Sequence, residues 1–128
     1  MRICLGAKME SGAMLVMHYN GFLERLKDTD LVITGEGRTD DQTTAGKLCS
    51  VVARECHKAG VPVVLLSGAL GGDAPALLSV FNIALSVSCG ETDLDAMLLN
   101  GPRNLSFAAE NLIRAFMFGR NRGINTQY

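Results

Sequence analysis

The sequence predicts a three-layer α/β domain, a short parallel sheet flanked by helices, and three observations carry the prediction. Compact apolar runs stand at Leu31–Thr34 and Val61–Ser67, and a third, less purely apolar, at Phe81–Ser88. The first two lack the polar alternation of a half-solvated strand, so they read as strands covered on both faces, the habit of parallel sheets. Helical patterns separate the runs, which gives the order strand, helix, strand, helix, strand and calls for right-handed parallel crossovers. Finally, a dense polar stretch follows the first run at once. Open α/β sheets bind ligands beyond the carboxyl ends of their strands, here beyond Thr34, Ser67 and Ser88.

Each element follows from local chemistry. Between Met9 and Lys27 the residues Met14, Leu15, Met17, Phe22, Leu23 and Leu26 recur mostly every three or four positions, which predicts an amphipathic helix. Gly12 and Gly21 oppose it by about 1 kcal/mol each relative to alanine, and one of them is a candidate for its start. The first run is the expected central strand. Gly35 and Gly37 predict a sharp turn directly after it, with Glu36 pointing out of the turn. Thr43 or Thr44 then caps a helix through Leu48, Val51, Val52 and Cys56 to Ala59, stopped by Gly60, which sets Lys47 about one turn inside it.

Pro62 suits the entrance of the second strand, and the third strand belongs nearer an edge. Asp73 as N-cap and Pro75 in the first turn predict a short helix between them. Residues 91–100 form another helix, interrupted around Gly101 and Pro102, and residues 104–121 a longer one. Beyond Arg120 the chain reads as a tail.

With 128 residues, 48% of them hydrophobic, the chain is long enough for one core and short of two ordinary domains. Twelve basic residues against thirteen acidic ones leave a net charge of −1 without a run of either sign, which argues against nucleic acid and membrane surfaces as partners. Cys4, Cys49, Cys56 and Cys89 are scattered, form no Cys-x-x-Cys pair and read as small buried hydrophobes of a reduced, cytoplasmic protein. No secretory leader is recognised, and no apolar run approaches the roughly 20 residues that span a bilayer. Internal repeats and low-complexity linkers are likewise missing from the sequence.

The chemistry gathers after the first strand. Arg38, Asp40, Asp41, Gln42, Thr43 and Lys47 supply phosphate donors and hard oxygens at the start of a helix, whose free N–H groups favour anions. A P-loop would need glycine at position 41 and a hydroxyl at 48, where the chain has Asp41 and Leu48; a dinucleotide fingerprint would need glycine where Asp40 stands. Ser67 and Gly68, at the end of the second strand, share the same edge and are candidates to line a cleft. His18 and His57 have no spacing that suggests a metal site or a catalytic triad.

The stretch "DLVITGEGRTDDQTTAGK" resembles the signature of the glycerate kinase family of the bacterial glycerate 2-kinase type, roughly L-V-I-T-G-E-G-R-x-D-x-Q-[ST]-x-x-G-K. It matches at Leu31 to Arg38, Asp40, Gln42, Thr43, Gly46 and Lys47. "GVPVVLLSGAL", "NLSFAAENLIRAF" and "LGAKMESGAML" are similar to further family segments. The resemblance covers nearly the whole chain but only the C-terminal part of the family. It implies that residues 1–128 form a single partial domain of Rossmann-like, flavodoxin-like type, without the N-terminal portion and without the second, inserted domain.

The resemblance further implies phosphoryl transfer from ATP, with Mg²⁺, to a hydroxyl of the small-molecule substrate D-glycerate, giving phosphoglycerate. Glu36 and Asp40 would accept the substrate proton or hold Mg²⁺, Asp40 being the metal candidate. Arg38 is the bidentate partner of a carboxylate or phosphate and Lys47 a second cation. Gly35, Gly37, Gln42, Thr43, Gly46, Ser67 and Gly68 would bind substrate or phosphate, while Asp41 reads as a solvated turn residue. On this reading the isolated chain is inactive for want of the missing portion, and its exposed edge and apolar surface invite a homodimer. The alternative is a non-catalytic flavodoxin-like module for anion binding or oligomerisation.

Overall fold

A computed structural model describes residues 12–40, 47–91 and 93–123, with side chains through Arg120. Its centre is a three-stranded sheet in the order β1-β2-β3, formed by β1 (Val32–Thr39), β2 (Val63–Leu70) and β3 (Ile83–Ser86). Both pairings are parallel, with Val32 opposite Val63 and Val64 opposite Ile83. The expected α/β class and strand order in sequence are therefore present. Among the described strands, however, the middle one is β2, and β1 lies at an edge.

On one face, α1 (Gly12–Tyr19) and α3 (Leu48–Ala59) pack against the sheet, together with the short α2 (Phe22–Arg25) and a 3₁₀ turn at Leu26–Asp28. The single helix expected over this first region is broken. Gly21 takes φ 64°, a left-handed conformation that a helix interior does not tolerate, and the chain turns there. Cys49, Val51, Val52, Ala53 and Cys56 of α3 bury against Val63 and Leu65. Gly60, at φ 72°, ends α3 as its glycine predicted. Glu55 is buried on the same helix and is held by Lys58 Nζ at 2.9 Å and Arg54 Nε at 3.2 Å. The Lys58 hydrogen bond leads in holding this carboxyl below its ordinary pKa.

The other face carries α4 (Leu94–Gly123), whose Leu112 and Ala109 meet Val64 and Leu66. This helix runs 30 residues without the interruption expected at Gly101 and Pro102. Proline inside a helix removes one hydrogen bond and costs about 3 kcal/mol. Anchoring after it offsets that cost, since buried Asn104 is bonded to Glu91 and Leu112 packs against the sheet. Asp93 caps the helix by accepting from Ala96 N–H at 2.9 Å. Between β2 and β3, Ala74–Ser79 winds as a 3₁₀ rather than an α-helix, with Asp73 at its N-cap and Pro75 in its first turn.

Candidate functional site at the carboxyl edge of the sheet

The polar stretch after the first apolar run begins as a strand and not as a turn. β1 extends from Val32 through Gly35, Glu36, Gly37 and Arg38 to Thr39, and neither of its glycines has positive φ. Gly35 is small for another reason: a Cβ built on it would sit 2.7 Å from the Leu66 carbonyl oxygen, and one on Gly68 would run into the carbonyl of Gly37, whereas a Cβ on Gly37 itself would meet open space. The backbones of β1 and β2 approach so closely here that side chains are excluded. Period-2 alternation along the strand sets the Glu36 side chain on the same face as Val32 and Thr34, opposite Ser67, where its carboxylate meets Thr39.

Past this approach lies a cleft of about 690 Å³. Gly35, Glu36, Gly37 and Arg38 of β1, with Gly68 and Ala69 of β2, form one wall; Leu94, Met97, Leu98, Gly101, Asn104 and Leu105 of α4 form the other. Val87 and Ser88 close its flank. Ser88 Oγ donates to the Gly68 carbonyl at 2.7 Å, so the chain leaving β3 is tied to the glycine of β2. Asn104 Nδ2 donates to Glu91 Oε1 at 2.6 Å and Cys89 N–H to Glu91 Oε2 at 2.8 Å, which anchors the next loop to α4. The Asn104 bond is the leading reason why the Glu91 carboxyl sits below its ordinary pKa.

Of the residues expected to be catalytic, Glu36 and Arg38 line the cleft. Arg38 is exposed, and its Nη2 would lie 3.7 Å from a Cβ on Gly71, so its side chain reaches across the end of β2. Asp40 follows β1 directly and pairs with Lys47, Nζ to Oδ1 at 3.0 Å, both partly exposed. Lys47 is not one turn inside the helix: it occupies the N-cap position of α3, before Leu48. Its extended backbone lets the side chain fold back to Asp40 at the edge of the sheet. Thr43 and Thr44, expected as the cap, lie outside the described residues, as do Asp41, Gln42 and Gly46.

Gly35, Gly37 and Gly68 line the cleft as expected. Ser67 does not. It is fully buried, its hydroxyl donates to the Ala69 carbonyl at 2.7 Å, and it touches the hydroxyl of Thr39 at 2.9 Å. Thr39, equally buried, donates to Glu36 Oε1 at 2.8 Å. Sequence reasoning missed Thr39, because it stands at the freely varying position of the signature. It also missed Asn104 and Ser88, although the asparagine lies within the similar "NLSFAAENLIRAF" segment.

Behind the site, Thr34 Oγ1 lies 3.4 Å from Cys49 Sγ. Burial first, and the nearby Glu36 charge after it, push the Cys49 thiol up from its ordinary pKa, so it remains a protonated packing group. Among the described residues no three His, Cys, Asp or Glu side chains cluster as a metal site. Glu36 and Asp40 nonetheless fit the needs of Mg²⁺, which takes one or two carboxylates and completes its shell with water and phosphate oxygens. His57, on α3, meets the Val80 carbonyl through Nε2 at 2.8 Å, a helix-end contact remote from the cleft.

A parallel sheet flanked by helices, with a cleft at the carboxyl ends of its strands, defines an α/β protein of the kind that binds ligands at that edge. Comparison narrows this to a family. A profile of the glycerate kinase family matches residues 1–117, and the chain belongs to that family. It is 38% identical to a glycerate kinase of Halalkalibacterium halodurans over 109 residues, covering 84% of this chain and 29% of that protein. It is 32% identical to glycerate 2-kinase of Escherichia coli K12 over 125 residues, covering 93% of this chain and 32% of that protein. A crystal structure described as glycerate kinase 2 from Salmonella typhimurium LT2 superposes with TM-score 0.65 at 29% identity, over 90% of this chain and 28% of that one. The chain thus spans about a third of the length of the relatives it matches.

Proposed function

We propose that this chain supplies the anion-handling edge of an ATP-dependent kinase that phosphorylates D-glycerate to phosphoglycerate. The observation that carries the reading is that the Gly35–Arg38 segment of β1 borders a cleft, with the Asp40–Lys47 pair at the same strand ends. Phosphoryl transfer asks a protein mainly for positioning and charge stabilisation. Arg38 is suited to grip a carboxylate or phosphate in a two-pronged fashion. Lys47 brings a second cation, held in place by Asp40. Glu36 and Asp40 share the tasks of accepting the substrate proton and holding Mg²⁺. When bound, Mg²⁺ would neutralise charge on the nucleotide phosphates. Gly35, Gly37 and Gly68 allow a ligand to approach bare main chain, and Gln42, Thr43 and Gly46 belong to the connection between β1 and α3.

The reading takes the chain as the C-terminal part of the family's Rossmann-like domain, working only together with the remaining two thirds of its relatives. We therefore expect no turnover from this chain alone. It assigns the protein to the cytoplasm, supported by free thiols at Cys49, Cys56 and Cys89. No helix of the described residues is long and apolar enough to cross a membrane. It also includes a homodimer, supported by Leu98, Leu99, Phe107 and Phe118 of α4, each more than 60% exposed. Light scattering at micromolar concentration should give twice the chain mass, and a strict monomer would refute the dimer.

The test of function is isothermal titration of the chain with glycerate, ATP·Mg²⁺ and inorganic phosphate, alongside a coupled kinase assay. Binding that weakens on the order of 10-fold or more in Arg38→Ala, as loss of a charged hydrogen bond requires, supports the reading. Turnover by the chain alone would contradict the need for a partner portion. Absence of any anion binding would contradict the site.

A further inference from the structure

Thr39 and Ser67 pose a question that packing does not answer. Both are fully buried, in an edge of the core where valine and alanine would fill the same space. Buried hydroxyls are retained at a desolvation penalty unless each finds partners. Here every buried polar side-chain atom of the described residues has one. The partners form a chain that ends on a carboxylate: Ala69 carbonyl, Ser67 Oγ at 2.7 Å, Thr39 Oγ1 at 2.9 Å, Glu36 Oε1 at 2.8 Å.

Two hydroxyl protons serve three contacts. The Thr39 proton goes to the carboxylate, the strongest acceptor of the group. The Ser67 proton then goes either to the Ala69 carbonyl or to the Thr39 oxygen, and it braces Thr39 directly in the second arrangement. Thr39 is well suited to its place, since its β-branch restricts χ1 and its burial removes the alternatives. Glu36, in contrast, is a flexible side chain at a half-open edge, and each bond to its carboxylate narrows the rotamers it samples. The close approach of Gly37 and Gly68 brings the two hydroxyl-bearing strands together at this point.

We propose that Thr39 and Ser67 are positioning residues, a buried hydroxyl relay that holds the Glu36 carboxylate in one orientation at the carboxyl edge of the sheet. The inference rests on the reading of Glu36 as a site residue, and it extends the site to two side chains that touch no ligand. Thr39 is the inner half of the support and Ser67 its brace.

The experiment is side-chain NMR on the isotopically labelled chain, measuring the Cα–Cβ rotamer couplings of Glu36. Wild type should show one dominant χ1 rotamer. Thr39→Val keeps the shape and removes the hydroxyl, so the couplings should shift measurably toward rotamer averages, while Thr34 and Leu65 keep theirs. Thr39→Ser should restore the single rotamer. Ser67→Ala, which leaves Thr39 in place, should give an intermediate loosening and remains informative if Thr39→Val does not fold.

A Glu36 as rigid in Thr39→Val or Ser67→Ala as in wild type would overturn the proposal, and so would equal loosening of Thr34 and Leu65. Titrating ATP·Mg²⁺ and glycerate into the same samples is a separate check on the function: perturbed Glu36 signals support that reading and indifference opposes it. The rotamer couplings of the ligand-free variants decide the positioning role in either case.

Discussion

The two faces of the sheet are finished to different degrees. On the α3 side Val63 and Leu65 lie wholly buried under Cys49, Ala53, Cys56 and Met17, in a core that excludes water. On the α4 side a single helix covers Val64 and Leu66, and Ile33, Ile83 and Leu85 remain about 40% exposed. Composition does not explain the difference, because both faces are built from the same aliphatic residues. Coverage does: three α-helices and two 3₁₀ segments serve one face, and one helix serves the other. The closed face supplies the stability, and the open face supplies the cleft.

The largest effect expected from this contrast is on stability. Leu65→Ala, at a site with no exposure, should destabilise the chain by about 2–5 kcal/mol, whereas Leu85→Ala on the open face should change it by less than about 1 kcal/mol. Urea titrations of both variants measure the gap, and equal losses would dissolve the distinction. Next comes the seam between the strands. Gly68→Ala forces a methyl into the Gly37 carbonyl and should cost roughly 1–3 kcal/mol by the same titration.

The smallest effect concerns Glu55 under the closed face. Its folded pKa is lowered, so its ionisation stabilises the fold above the unfolded value, and that contribution is lost as pH falls through the folded one. Denaturant midpoints should therefore drop less between neutral and acid pH in Glu55→Gln than in wild type. Identical pH slopes would show that the Lys58 hydrogen bond contributes nothing.

Much of this arrangement is legible in the residues. The apolar runs locate all three strands, Gly60 marks the end of α3, and the family signature points to the edge that holds the cleft. What escapes depends on tertiary contact. Glycine at 35 reads equally as a turn or as an approach of neighbouring backbones, and only the partner strand distinguishes them. Gly101 and Pro102 are local helix breakers, yet the anchors at Asn104 and Leu112 carry α4 through them. Ser67 reads as a cleft residue because it ends an apolar run; the strand continues three residues further, and alternation turns its hydroxyl inward. Local capping chemistry sets Lys47 a turn too deep because the threonines before it are good caps, while the helix starts after the lysine.

The uncovered side of the sheet also has a calorimetric consequence. Unfolding raises heat capacity because it wets apolar surface, ordinarily by about 12–15 cal/mol/K per residue. In the single chain Ile33, Ile83, Leu85 and the outer leucines of α4 are already wet. Fewer new hydration shells form on melting, the increment per residue falls below that range, and the curve of stability against temperature is correspondingly flat.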